Sequence, residues 1–212
     1  MQGYRDRADA GAVLAGELVK YAGQNVAVFG VGSGGVAVAA PIAGALGADL
    51  DVLAVRQLAL PGRPEQLWAA VAVLGEYVQV VADQSEATLR LEVTDPVNHF
   101  RDRDLIELRR LEDAYRAGRP PQRVHGRLVI IVADGLTGLA VMRAAASVVL
   151  KHHPARLVVA LPAGTVHTCR ELGKTANEVI CPVSLGLFRS AEPLYADHGD
   201  IPVGDIRRLL SA

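Results

Sequence analysis

The sequence predicts a doubly wound α/β fold, with a mainly parallel sheet flanked by helices. Three observations carry this reading. Aliphatic runs too short for helices alternate with amphipathic or small-residue stretches, the pattern of strands joined by helical crossovers. Two strand-to-helix junctions carry glycine turns, at 30–35 and 133–138. Half of the chain is hydrophobic but only 4% is aromatic, and Ala, Val, Leu and Gly suit parallel strands buried on both faces.

Residues 5–22 read as an amphipathic helix, with Ala8, Ala12, Leu14, Ala15, Leu18 and Val19 on its apolar side and Gly23 near its end. Residues 25–29 form a strand, 30–35 a glycine turn, 36–46 a small-residue helix stopped by Gly47, and 50–55 a second strand. Such a unit implies right-handed parallel crossovers. Residues 61–64 (Pro-Gly-Arg-Pro) break the chain. The runs 69–74 and 77–81 around Gly75-Glu76 suggest a β-hairpin. A charged helix follows over 102–116, ended by Pro120-Pro121. The second half continues with a strand at 127–132, a turn at 133–138, a helix at 139–151, a strand at 156–161, a helix at 166–175, a short strand at 178–182 and a last helix at 203–210. Ligands of this architecture sit beyond the carboxyl ends of the strands, where both glycine turns fall.

Length and charge narrow the functional classes. A chain of 212 residues fits one domain. With 22 basic and 23 acidic residues the net charge is -1, so no basic field draws nucleic acid. No apolar run reaches the ~18 residues of a membrane span, and residues 1–10 are polar and charged, unlike a signal peptide. These features predict a cytoplasmic protein with no membrane partner. Cys169 and Cys181 lack metal-ligand spacing and read as buried, reduced thiols.

The first turn, Gly30-Val31-Gly32-Ser33-Gly34-Gly35, satisfies the dinucleotide pattern G-x-G-x-x-G. The ribose-binding acid expected about twenty residues on should end the second strand. Instead Asp49 and Asp51 precede or open that strand, and its far end carries Arg56-Gln57. That pair suits phosphate better than ribose hydroxyls, which disfavours a dinucleotide-binding oxidoreductase. Small residues before a helix still let backbone N–H groups meet an anion; the alternative is a tight turn with no ligand.

The second turn is more specific. Val129-Ile130-Ile131-Val132-Ala133-Asp134-Gly135-Leu136-Thr137-Gly138, followed by Met142-Arg143-Ala144-Ala145 and the strand Leu157-Val158-Val159-Ala160-Leu161-Pro162, resembles the phosphoribosyl-pyrophosphate (PRPP) motif of type I phosphoribosyltransferases. The resemblance runs along nearly the whole chain and is closest to a subgroup of small bacterial members. It implies a five-stranded parallel sheet in a single domain over 1–212, with a hairpin and helical hood insertion at about 63–124. It implies transfer of a phosphoribosyl group from PRPP to an acceptor, such as a nucleobase, with Mg²⁺ offsetting charge on the pyrophosphate. It also implies a homodimer.

Residue by residue, the resemblance makes Asp134 the catalytic acid that contacts the ribose hydroxyls. It puts Gly135, Leu136, Thr137 and Gly138 in the 5-phosphate loop, and Gly32, Ser33, Gly34, Gly35, Arg56 and Gln57 at the pyrophosphate. No metal ligand is assigned directly; Mg²⁺ would enter with PRPP. Ala133 stands where the family has a first acid, Thr137-Gly138 comes one place early, and Val141 replaces a hydroxyl. Ser33 and Gln57 stand where the subgroup has Arg and Lys. Each charge-assisted contact is worth roughly 1.5–3 kcal/mol, so these departures predict weaker PRPP binding unless Arg63, Arg101 or Arg143 substitutes.

Two readings follow: a PRPP-using transferase, or a degenerate member that binds a nucleotide or sugar phosphate as sensor or scaffold. Plainer roles stand beside them. Asp134 would cap its own turn, and Thr137 would be the N-cap of the next helix. His152 and His153 would be solvated at a helix end, while His99, His125, His167 and His198 lack ligand spacing. Trp68 reads as core or hood packing rather than a base-stacking platform. The charge run at 101–116 reads as a solvated face or a self-association surface.

Overall fold

The computed structural model describes residues 3–60, 63–82, 102–185, 194–197 and 199–211. Helix α1 (Arg7–Leu18) is capped by Asp6, whose side chain accepts from Asp9 N, and ends in a 3-10 turn, Val19–Tyr21. There follow β1 (Val26–Val31), α2 (Gly32–Leu46), β2 (Asp49–Leu60), β3 (Arg63–Leu74), β4 (Tyr77–Ala82) and α3 (Asp102–Arg116). The second half comprises β5 (Leu128–Val132), α4 (Leu139–Leu150), β6 (Arg156–Ala160), β7 (Ala163–Thr165), α5 (Val166–Leu172), β8 (Glu178–Ile180), β9 (Val183–Leu185) and α6 (Val203–Leu210).

One seven-stranded sheet has the order β4-β3-β2-β1-β5-β6-β8. The five strands β2-β1-β5-β6-β8 are parallel, and β3 and β4 add antiparallel to the β2 edge. The hairpin expected around Gly75-Glu76 is present and widens this sheet. Its reach exceeds the apolar runs: β2 and β3 each span twelve residues, because their far halves pair with each other beyond β1. A second, two-stranded parallel sheet joins β7 to β9. Sequence patterning gives no sign of it, since three-residue strands show no period.

Alternation along the central strands builds a core on each face. Val26 and Val28 of β1, with Leu128, Ile130 and Val132 of β5, pack under α1 and α2. Ala27, Phe29, Val129 and Ile131 turn the other way, against Val141, Met142, Ala145 and Val149 of α4. Burying each large aliphatic or aromatic side chain contributes about 1.5–3 kcal/mol. Helix α3 covers the β2–β3 extension through Leu105, Leu108 and Leu111. Trp68 belongs to this core, 2% exposed, with Nε1 donating to Ala59 O at 3.2 Å.

The charge run is not simply solvated. Arg116, at the end of α3, is buried with Asp51 and Glu112: its Nε donates to Asp51 Oδ1 at 2.8 Å, its Nη1 to Glu112 and its Nη2 to Val52 O at 2.7 Å. Asp51 Oδ2 also accepts from Gln122 N at 2.8 Å. Asp51 opens a central strand, so it needs a cation delivered from the covering helix. Similarly, His152 is half-buried rather than solvated: its Nε2 sits 3.1 Å from Leu74 O and its ring lies edge-on to Tyr77, because the hairpin turn packs over the end of α4. Arg101, His99 and His198 lie outside the described residues.

Candidate functional site

Strands β1 and β5 are parallel neighbours, with Gly30 opposite Val132. The segments that follow them therefore emerge at the same carboxyl edge. The glycine turn is tighter than expected: Gly32 already starts α2, and 32–35 form its first turn. The reason is space. A Cβ on Gly35 would sit 2.5 Å from Val132 O, and one on Gly34 would sit 2.3 Å from Asp134 Oδ2. The two glycine turns touch each other, and they do so through positions that admit no side chain.

Asp134 is buried at this junction, 8% exposed. Its Oδ1 accepts from Leu136 N at 3.1 Å and from the Thr137 hydroxyl at 3.0 Å, which closes the turn. Its Oδ2 faces Arg7 Nε of α1 at 3.5 Å, and its backbone oxygen accepts from the Tyr195 hydroxyl. Burial, and then the nearby Asp134 charge, push the Tyr195 phenol well above its ordinary range, so it stays a donor. Gly135 turns left-handed at φ +79°, with Leu194 Cδ2 and Ala163 O where a Cβ would go. Leu136 is exposed at the tip.

Thr137 is not the N-cap of α4. Gly138 holds that position with no side-chain cap, and the Thr137 hydroxyl is engaged by Asp134 instead. Val31 likewise gives α2 no side-chain cap. Two helix N-termini thus open on the same edge with backbone N–H groups left for an anion. Gln57 reaches this edge from β2, its Nε2 3.4 Å from where a Gly138 Cβ would lie.

One candidate residue turns elsewhere. Side chains alternate along a strand, so Arg56 leaves the opposite face from Gln57. Its Nη1 pairs with Glu107 at 2.8 Å and Asp104 at 3.6 Å on α3. Tyr115 of α3 lies beside Ser33; its phenol is raised above its ordinary range chiefly by burial, against the effect of Ser33. The substitute cations are also engaged: Arg143 pairs with Glu171 at 2.8 Å, and Arg63 bonds Gln66 at 3.4 Å on the surface. The structure therefore gathers Gly34, Gly35, Asp134, Thr137, Gly138 and Gln57, and adds Arg7 and Tyr195, which sequence reasoning missed. One signal pointed to Arg7. A cation in the first turn of a helix opposes the macrodipole unless an acid meets it.

No family model matches the chain. Two Mycobacterium tuberculosis proteins, from strains CDC 1551 and H37Rv and both provisionally named phosphoribosyl transferases, are 35% identical over 188 residues. The match takes in 89% of this chain and 42% of each relative, so the chain spans about two-fifths of the length of these curated relatives. A crystal structure of a Thermus thermophilus protein is 33% identical, with a TM-score of 0.72 over 99% of this chain and 98% of that one. A protein structure from Aquifex aeolicus, 10% identical with a TM-score of 0.50 over 84% of this chain and 74% of that one, shares the fold.

Proposed function

Because the chain belongs to the type I phosphoribosyltransferase-like family, we propose that it transfers a phosphoribosyl group from PRPP to a nitrogen acceptor, such as a nucleobase. One observation carries the proposal: the Gly32–Gly35 turn and the Asp134–Gly138 turn meet at the carboxyl edge, Gly34 against Asp134. In this reading the N–H groups of Gly135, Thr137 and Gly138 and the N-terminus of α4 hold the 5-phosphate, while that of Leu136 closes the turn onto Asp134. The first turn of α2 and Gln57 hold the pyrophosphate. Asp134 accepts from a ribose hydroxyl. The acceptor nitrogen attacks C1 as the C1–O bond to pyrophosphate breaks, and the nitrogen then loses its proton. Holding both groups in line and neutralising the leaving oxygens would supply most of the acceleration.

Mg²⁺ is part of the proposal, as an ion that enters with the substrate. Among the described residues no group of three His, Cys, Asp or Glu gathers to hold a metal, and the one carboxylate of the edge is engaged by its own turn. That donor set fits an ion held through water and substrate phosphates, whose chemistry is to offset charge on the pyrophosphate. A cytoplasmic location and a homodimer belong to the same proposal; among the described residues no helix is long and apolar enough to cross a membrane.

The alternative, binding of a sugar phosphate or nucleotide without turnover, draws on Arg56, which is committed to α3. Calorimetric titration with PRPP, with and without Mg²⁺, tests the proposal. Binding is expected, and Asp134→Asn should weaken it about 10- to 100-fold, as for one charge-assisted hydrogen bond. No heat at millimolar ligand would sink the PRPP reading. Binding with no pyrophosphate release across a panel of bases would leave the sensor.

A further inference from the structure

Away from the candidate site, Cys169 lies in α5 and Cys181 directly follows β8. Both thiols are free and half-exposed. They meet over Gly164 of β7: a Cβ built there would sit 3.2 Å from Cys181 Sγ and 3.4 Å from Cys169 Sγ. The missing side chain of Gly164 leaves room that both sulfurs border. Burial, followed by the hydrogen bond and proximity to Cys169, pushes the Cys181 thiol up to about 12. Its S–H is also 3.4 Å from Val183 O, a weak bond.

We propose that Cys169 and Cys181 are an oxidation site that closes into an intramolecular disulfide when the protein meets a peroxide. The thiolate is the nucleophile toward peroxide: one of the two thiols gives up its proton, its sulfur takes a hydroxyl from hydrogen peroxide as the O–O bond breaks, and the hydroxide released takes that proton to leave as water, giving a sulfenic acid. The other cysteine's sulfur, as it ionises, attacks the sulfenic sulfur. The S–O bond breaks, the S–S bond forms, and the second thiol's proton leaves with the hydroxide as a second water. Two electrons pass from the two thiols to the peroxide. Transient disulfides of this kind are the sort found in reducing compartments.

The bond would tie α5 to the link between β8 and β9. Next to Gly164, Ala163 backs the Gly135 turn, its O and N 3.2 and 3.4 Å from the position of a Gly135 Cβ. The new bond would therefore brace the wall behind Asp134. The site itself does not depend on the PRPP reading.

Peptide mapping of the whole chain tests it. Trypsin cuts after Arg170 and Lys174, so the two cysteines fall in separate peptides. After hydrogen peroxide and blocking of free thiols, the two peptides should appear joined, and a reductant should release them. In Cys181→Ser and in Cys169→Ser no linked peptide should form, and the sulfenic acid of the cysteine that first meets peroxide should persist and be trapped by dimedone. Separate oxidation of both cysteines with no linked peptide would overturn the proposal. So would a link found only between two chains on a non-reducing gel.

Discussion

Arg7 and Asp134, more than a hundred residues apart in the chain, form an ion pair: Arg7 Nε lies 3.5 Å from Asp134 Oδ2, with their side chains 15% and 12% exposed. The contact is electrostatic, since Nε is buried without hydrogen-bond geometry to any acceptor. Arg7 is held in place by Nη1 donating to Gly199 O at 3.0 Å and by stacking 5.5 Å over the Tyr195 ring. It ties α1 and the C-terminal segment to the Asp134 turn.

Arg7→Ala should therefore destabilise the fold by about 1–3 kcal/mol, because it strands a buried carboxylate. Arg7→Lys should recover only part of this, lacking the flat face over Tyr195. Urea denaturation checks both, with a lower midpoint and an unchanged slope expected for the alanine variant.

Gly34→Ala should cost about 1–3 kcal/mol, since its Cβ would sit 2.3 Å from Asp134 Oδ2 and 3.2 Å from Arg7 Nε. Gly16→Ala, on the exposed face of α1 with nothing within 4 Å, should instead stabilise by roughly 0.5–1 kcal/mol. Thermal melts of the two variants should shift in opposite directions.

Arg116→Met should cost roughly 3–5 kcal/mol, as it leaves Asp51 and Glu112 buried without their cation. Adding Asp51→Asn and Glu112→Gln should recover part of the loss. A triple variant less stable than Arg116→Met, by denaturant titration, would contradict the cluster's electrostatic origin.

Glu178 is held below the ordinary glutamate range by hydrogen bonds from Lys20 and then Tyr21. The unfolded chain takes up its proton first as pH falls, so this stabilisation is complete above about pH 4.3 and is lost toward the lower native value. The cations paired with Glu178, Lys20 and Arg156, are about half exposed, which limits the effect to roughly 0.5–1 kcal/mol. Tyr21 behaves inversely: burial and then Glu178 push it up to about 12. Its contribution is complete below the ordinary tyrosine value, near 10, and fades as pH rises through the native one. Denaturation of Glu178→Gln and Tyr21→Phe across pH should flatten the acid and alkaline limbs respectively.

The sequence by itself determined the parallel core, because the short aliphatic runs of strands buried on both faces, and the three-to-four-residue spacing of amphipathic helices, survive in one dimension. Residues 102–116 and 203–210 were legible to the residue for that reason. It also marked both glycine turns, since close approach demands glycine whatever surrounds it. Tertiary structure decided how those turns are used. Whether Arg56 faces the turns or α3 depends on which face of a strand it leaves, and on Glu107 waiting there. That Arg7 meets Asp134 depends on segments far apart in the chain, and that Cys169 meets Cys181 over Gly164 depends on how a helix and two short strands pack. No local pattern records such meetings, because the energy that selects them is shared among the packed elements.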